Sequence, residues 1–406
     1  GFRVGRAMKR LKTFAAFAWK LVLGAAFCQF LPTSILVVGW TYRLMQRTAL
    51  KQWWRASGGA QHEPNFRKYL ASNPSAARFA SYPTWFNAPK EIEVTNTGIR
   101  ARLNRYLGGL KQNAVIGFLG LVNTWMLTLL PMFLWQFGWY AGWDNSFNKG
   151  YEQFSVGQQI SLIGIAMFLL AMLYVPMAQA RQAVTGEWRG FYDFKTIWRV
   201  VQQRRLLCLF LAAFFSLVAF PLRVLMMIPV GFPIGDQTRE SMTDAQLLAF
   251  IKNYYLFVSV AGFLGYVAVR IVAARVYASG VAAAVRAGTV PIDGLRGFER
   301  RAVMQLGLAE VAPRVPPSLT TRVATGATRP FWRAAATVAT LIVWFTFVAQ
   351  LYVSQFFNYR PPAYGFMNQP IIQAPVFRYI PDALARAAKQ KVESVSEDLT
   401  ASRSDY

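Results

Sequence analysis

Five apolar runs, none containing an Asp or Glu, constrain this chain more than any other feature: residues 114–139, 158–180, 206–232, 254–276 and 334–357. Each reaches the length of about 20 residues that a helix needs to cross a bilayer. Between them the charge alternates. Segments 143–157 and 233–252 carry a slight acidic excess, with one basic against two acidic residues and two against three. Segments 181–205 and 286–333 are basic, with six against two and eight against three. The positive-inside rule then puts the two basic segments on the cytoplasmic side.

A sixth apolar segment, 14–45, follows a basic start with Arg3, Arg6, Lys9, Arg10 and Lys12. It runs too far for a signal peptide, and no Ala-x-Ala site closes it. It is also longer than one crossing requires, and Pro32 divides it in two. Both the start and the segment after it are basic. The preferred expectation is therefore a re-entrant hairpin, the other arrangement being a single span with the start outside.

Residues 43–111 hold 12 Lys or Arg against Glu63, Glu91 and Glu93, with prolines at 64, 74, 83 and 89. This stretch lacks the apolar periodicity for its own core and is expected on the membrane face. Its first part, 42–55, mixes Arg43, Arg47, Lys51 and Arg55 with Leu44, Leu50, Trp53 and Trp54, the pattern of an interfacial helix.

Composition closes off other classes. Hydrophobic residues make up 54% and charged residues 15%, with mean hydropathy +0.27, which is too apolar for a soluble domain. The formal charge of +26 would suit a nucleic-acid binder, but the cations sit between apolar runs and follow no reading motif, so nucleic acid is excluded as a partner. Cys28 and Cys208 both lie inside apolar runs, as small buried thiols do. His62, the single histidine, sits on the polar linker without ligand-type neighbours. Neither a phosphate-loop pattern nor Gly-x-Ser-x-Gly occurs, and no cofactor, metal or catalytic residue is expected.

The candidate residues are therefore boundary residues. At the end of the 158–180 run, Arg181, Trp188 and Arg189 mark the exit into the headgroup zone. Beyond them, Phe191, Phe194, Ile197, Trp198 and Val201 recur at helical spacing while Lys195, Arg199, Arg204 and Arg205 take other positions. That predicts an amphipathic elbow against anionic lipid. Trp53 and Trp54 join the interface set. Four cations lie inside apolar segments: Lys20, Arg223, Arg270 and Arg275. Arg223, beside Pro221 and before Pro229, is the intramembrane candidate, with snorkelling as the simpler role. Arg270 and Arg275 are expected to snorkel.

With these residues in place, the chain resembles a bacterial family of multi-pass membrane proteins, domain of unknown function family 4013. Pro32 with Gly39-x-x-Tyr42-Arg43-Leu44 carries the likeness, together with Val175-Pro176-Met177-Ala178, Ala180-Arg181, Thr185-Gly186 and Phe191-Tyr192-Asp193-Phe194. It covers roughly residues 11–232. The resemblance implies a helical integral protein of the bacterial membrane and supplies no catalytic residues.

The expected architecture is all-α: a polytopic helical membrane protein with five full spans plus the Pro-broken segment, re-entrant or spanning, and interfacial amphipathic helices. Its parts are 1–45 (basic start and first membrane segment), 43–112 (basic linker with interfacial helix) and 113–284 (four membrane helices). After them come 285–333 (basic loop), 334–357 (last span) and 358–406 (proline-rich tail and short helix). The expected role is a non-catalytic structural or accessory subunit of a larger assembly in the bacterial inner membrane. Its partners would be other membrane proteins and anionic lipids, in a homo- or hetero-oligomer. The alternative is a permease or lipid-handling protein working through a kinked helix 206–232.

Overall fold

In the computed structural model, residues 18–58, 65–80, 83–86, 98–138, 154–231 and 243–310 are described, with isolated helical residues at 15 and within 330–342. The last span falls mostly outside the described residues, and His62 and the tail 358–406 lie wholly outside them. Among the described residues the fold is helical, without strands.

Apolar Ala18–Phe27 forms α1. A turn at residues 28–30 leads into α2, Leu31–Ala56, with proline in its first turn where a missing N–H costs nothing. Lys20 Nζ and Trp40 Nε1 both donate to the Pro83 carbonyl, each at 3.2 Å. Two residues 20 positions apart, one on each side of the turn, thus meet one atom, so α1 and α2 are the arms of a hairpin. Trp85 seals it, stacking on Trp40 at 4.9 Å and donating its Nε1 to the Lys20 carbonyl.

Two short helices follow, α3 (Phe66–Ser72) and α4 (Pro74–Ala80), and then the long helices α5 (Ile99–Gly138) and α6 (Phe154–Thr185). A 3₁₀ turn, Trp188–Tyr192, leads to α7 (Phe194–Gln203) and α8 (Arg205–Gly231). After α9 (Asp244–Arg286) and a second 3₁₀ turn, Ile292–Gly294, the described core ends with α10 (Gly297–Gln305).

The apolar runs 114–139, 158–180, 206–232 and 254–276 fall, as far as their residues are described, on α5, α6, α8 and α9, but helix length and run length differ. Apolar run length reports where the surroundings are apolar, whereas a helix continues wherever its polar residues find partners. α5 starts at residue 99 and α9 ends at 286, both beyond their runs. The start of α9 is set by a capping box: Thr243 Oγ1 accepts from the Gln246 amide at 3.4 Å, and Gln246 Oε1 accepts from the Thr243 amide at 2.9 Å. Thr243→Ala is expected to cost about 1 kcal/mol locally. It should speed hydrogen exchange at the Gln246 amide and leave the rest of the protein unchanged.

The polar ends of the helices make the packed part of the molecule. Its interior holds Trp40, Met45 and Trp53 of α2, Val175 to Val184 of α6, Phe191, and Tyr266, Val269, Tyr277 and Val281 of α9. The three basic segments meet here. Phe79 of the first stacks on Phe298 of the third at 4.3 Å, Arg286 donates to the Ala56 carbonyl at 2.5 Å, and Gln46 donates to the Ala183 carbonyl of α6 at 2.7 Å.

Toward the other end the helices expose apolar side chains: Phe133 on α5, Leu170 on α6, Leu217 on α8, and Phe257 and Leu264 on α9. Among the described residues, two helical stretches are long and apolar enough to cross a membrane, Tyr106–Pro131 and Asn253–Arg286.

Three expectations change. Residues 42–55 are not a separate interfacial helix but the second half of α2, and Trp53 is fully buried while Trp54 is nearly so. The physical reason is internal satisfaction: Trp53 Nε1 donates to the Ala278 carbonyl of α9 at 2.9 Å, and Arg43 Nη1 donates to Asn113 Oδ1 at 3.0 Å. In α7 the inward face is Thr196, Ile197 and Val200, whereas Phe194 and Trp198 are exposed, because the helix packs on α9 through its other side. Arg270 is buried at 2% exposure with its guanidinium 4.8 Å from the Tyr266 ring centroid, so it does not snorkel; Arg275 is exposed.

Candidate functional site: a buried ion cluster beside an amphiphilic cleft

The stretch that ends the second long apolar run builds one buried charge cluster. α6 ends at Thr185, and Gly186 takes a left-handed turn at φ 74, which lets the chain double back into the 3₁₀ turn. Asp193 then has two tasks: its Oδ1 caps α7 by accepting from the Thr196 amide at 3.3 Å, and its Oδ2 takes Arg181 Nη2 at 2.7 Å. From the other direction come Glu299 of α10, whose Oε2 lies 3.2 Å from Arg181 Nη1, and Tyr277 of α9, which accepts from Nη1 at 3.0 Å. Tyr277 in turn donates to Glu299 Oε1 at 2.5 Å.

Arg181 and Glu299 both have no exposed side-chain surface. Burial disfavours the charged guanidinium, but Tyr277, Glu299 and Asp193 together outweigh it and raise the Arg181 pKa. Burial also pushes the Glu299 carboxyl up, opposed in part by Arg181 and by the Tyr277 hydrogen bond. A raised carboxyl pKa means the folded chain holds that proton more tightly than the unfolded one. The Glu299 contribution is therefore fully present below the ordinary glutamate range and is lost as pH rises through the raised value. Glu299→Gln is expected to flatten this part of the pH–stability curve and to cost less than removing Arg181, since Gln still bonds Tyr277. Thermal unfolding across pH checks both points.

The cluster joins segments 118 residues apart, and its chemistry is that of a fastener: every ionic group faces a partner. Beside it lies a cleft of about 740 Å³ between α2, α4, α5, α6, the first 3₁₀ turn and α10. Its polar wall carries Gln46, Lys111, Gln182, Glu187 and Arg301; its apolar wall carries Phe79, Val115, Leu119 and Trp188. Gln182 is 6% exposed, and its Oε1 has no hydrogen-bond partner; Tyr42, also in the lining, is buried.

The sequence-derived candidates divide accordingly. Arg181, expected at the headgroups, is interior because two carboxylates hold it there. Trp53 and Trp54 are interior as well. Trp188 is half-exposed at the cleft, with the Arg189 guanidinium 5.5 Å from its ring centroid and Asn123 Nδ2 bonded to its carbonyl at 3.1 Å. Arg189, Arg204 and Arg205 are exposed and Arg199 is half-buried, near exposed Phe194 and Trp198 on the outer face of α7. Arg223 belongs to α8, and its side chain lies outside the described residues.

Glu299, Tyr277, Gln182, Lys111 and Arg301 were not singled out from sequence. One signal was present for Glu299: it is the single acid within α10, flanked by Arg296, Arg300 and Arg301. Tyr277 and Gln182 gave none. Comparison with protein-family models, with curated proteins and with solved structures found no match for this chain.

Proposed function

We propose that this chain is a multi-pass protein of the bacterial inner membrane, with five full spans beside a re-entrant α1–α2 hairpin, and that it acts as a non-catalytic structural or accessory subunit of a larger membrane assembly. The observation that carries this is the division of its surface. Only 33% of the most apolar window of Tyr106–Pro131 is buried, whereas a core helix of a soluble protein with that hydropathy is mostly enclosed. An apolar belt of this kind needs lipid or a partner protein to cover it. Meanwhile the buried ionic groups of the Arg181 cluster are engaged with one another, which suits a rigid frame.

Sidedness follows from the meeting of the three basic segments at one end, the cytoplasmic end under the positive-inside rule. The likeness to family 4013 belongs to the same reading. Cysteines placed at Ser75, Lys195 and Arg300 are expected to label from the cytoplasmic side, and one at Gln237 from the other. Labelling of Ser75 and Arg300 from opposite sides would overturn the topology. For the subunit role, purification in gentle detergent should retain a stoichiometric partner protein; a homogeneous lone oligomer would refute it. The permease alternative, through 206–232, draws no support from the cleft, which no described residue of α8 lines.

A further inference from the structure

We infer that the cleft beside the Arg181 cluster is a binding site for a single membrane phospholipid whose headgroup joins a phosphate to a primary ammonium. The inference rests on the membrane reading above and gives that frame a specific ligand.

The headgroup end follows from the polar wall. Lys111 and Arg301 line the cleft and supply cations for a phosphate. Glu187, in the same lining, supplies an anion, so a purely anionic ligand is opposed there and a zwitterion is matched. Gln182 Oε1 is buried and lacks a donor, which is costly unless a ligand brings an N–H or O–H. An ammonium with N–H groups would offer donors to both Gln182 and Glu187, which share the lining. A trimethylated ammonium has no proton to give and satisfies neither as a hydrogen bond.

The acyl end follows from α5. Val115 and Leu119 form part of the cleft wall and are also exposed, and they begin a stripe that continues through Met126, Leu130 and Phe133. At 100° per residue these five positions lie within about 60° of one another on the helix. From Val115 to Phe133 the stripe is about 27 Å long, close to the thickness of a bilayer's hydrocarbon core. The cleft therefore opens at its apolar side onto a track that an acyl chain can follow. A free phosphorylated amine would fill the polar wall alone and leave this track unused.

The test uses the full chain in mixed detergent micelles, read by native mass spectrometry, with phosphatidylethanolamine, phosphatidylcholine and soluble glycerophosphoethanolamine as probes. One phosphatidylethanolamine per chain is expected, held about tenfold or more tightly than phosphatidylcholine. Lys111→Glu with Arg301→Glu should weaken its retention about tenfold or more, at an unchanged melting temperature. Gln182→Leu should erase the preference for phosphatidylethanolamine over phosphatidylcholine while leaving chain-dependent binding in place. Equal retention of the two lipids, no retained lipid, or full retention by the double variant would overturn the site. Displacement by glycerophosphoethanolamine at equal concentration would assign the cleft to a soluble ligand and so overturn the lipid. Failure of the membrane reading is a separate outcome, seen as a chain that stays soluble and monodisperse without detergent.

Discussion

Arg181→Leu is expected to destabilise the protein by about 3–5 kcal/mol, the loss usual when one partner of a buried ion pair is removed and the other is left charged in place. Glu299 would then be a fully buried carboxylate left with Tyr277 and the Arg296 backbone, and Asp193, 17% exposed, would keep only its cap on α7 and the longer 3.8 Å approach of Arg296. The effect should spread because the guanidinium is bonded to groups from the α7 cap, α9 and α10 at once. Thermal unfolding in detergent measures it. Adding Glu299→Gln to Arg181→Leu removes the uncompensated charge, so the double variant should be more stable than the single one. Pairs in direct contact couple by about 0.5–3 kcal/mol. An Arg181→Leu protein that melts with the wild type would show that the cluster does not hold the frame together.

The same residue shows what the sequence could and could not convey. Arg181 sits where an apolar run gives way to charge, and such a boundary is a local signal that survives without any knowledge of tertiary contacts. The helices α5, α6, α8 and α9 were legible for this reason, as was the break near Pro32. Yet the positive-inside argument treats each cation as a counter of sidedness, and it has no means of telling a solvated Arg204 from an enclosed Arg181. The distinction depends on Glu299, 118 positions away, and on Tyr277, which looks like any other aromatic in an apolar helix. Trp53 and Trp54 were misplaced by the same limit. Tryptophan among arginines is the pattern of an interface helix and equally that of a buried helix whose cations bond internally, as Arg43 does with Asn113. The cleft was illegible in full, since six separate elements line it and its informative atom is the unpaired oxygen of Gln182.

Gly39→Ala and Gly117→Ala should each separate α2 from α5, with an effect at or above the about 1–3 kcal/mol of ordinary core overpacking. A Cβ on Gly39 would fall well inside contact distance of the Asn113 carbonyl, and one on Gly117 inside that of the Ile35 carbonyl. Both obstacles are helix backbone, which cannot rotate aside as a side-chain tip can, so the axes themselves must part. Parting them pulls Asn113 from Arg43 at 3.0 Å and from the Thr84 and Trp85 carbonyls at 3.1 and 3.2 Å, leaving a guanidinium at 3% exposure short of acceptors. The cost is thus steric strain followed by lost hydrogen bonds, and the second term is why a single methyl should matter so much here. Gly98→Ala is the matched control, because a Cβ at Gly98 meets nothing within 4 Å. Its melting temperature should stay close to that of the wild type while those of the other two fall. If Gly39→Ala melts with Gly98→Ala, the close approach of α2 and α5 is not the constraint that sets this end of the fold.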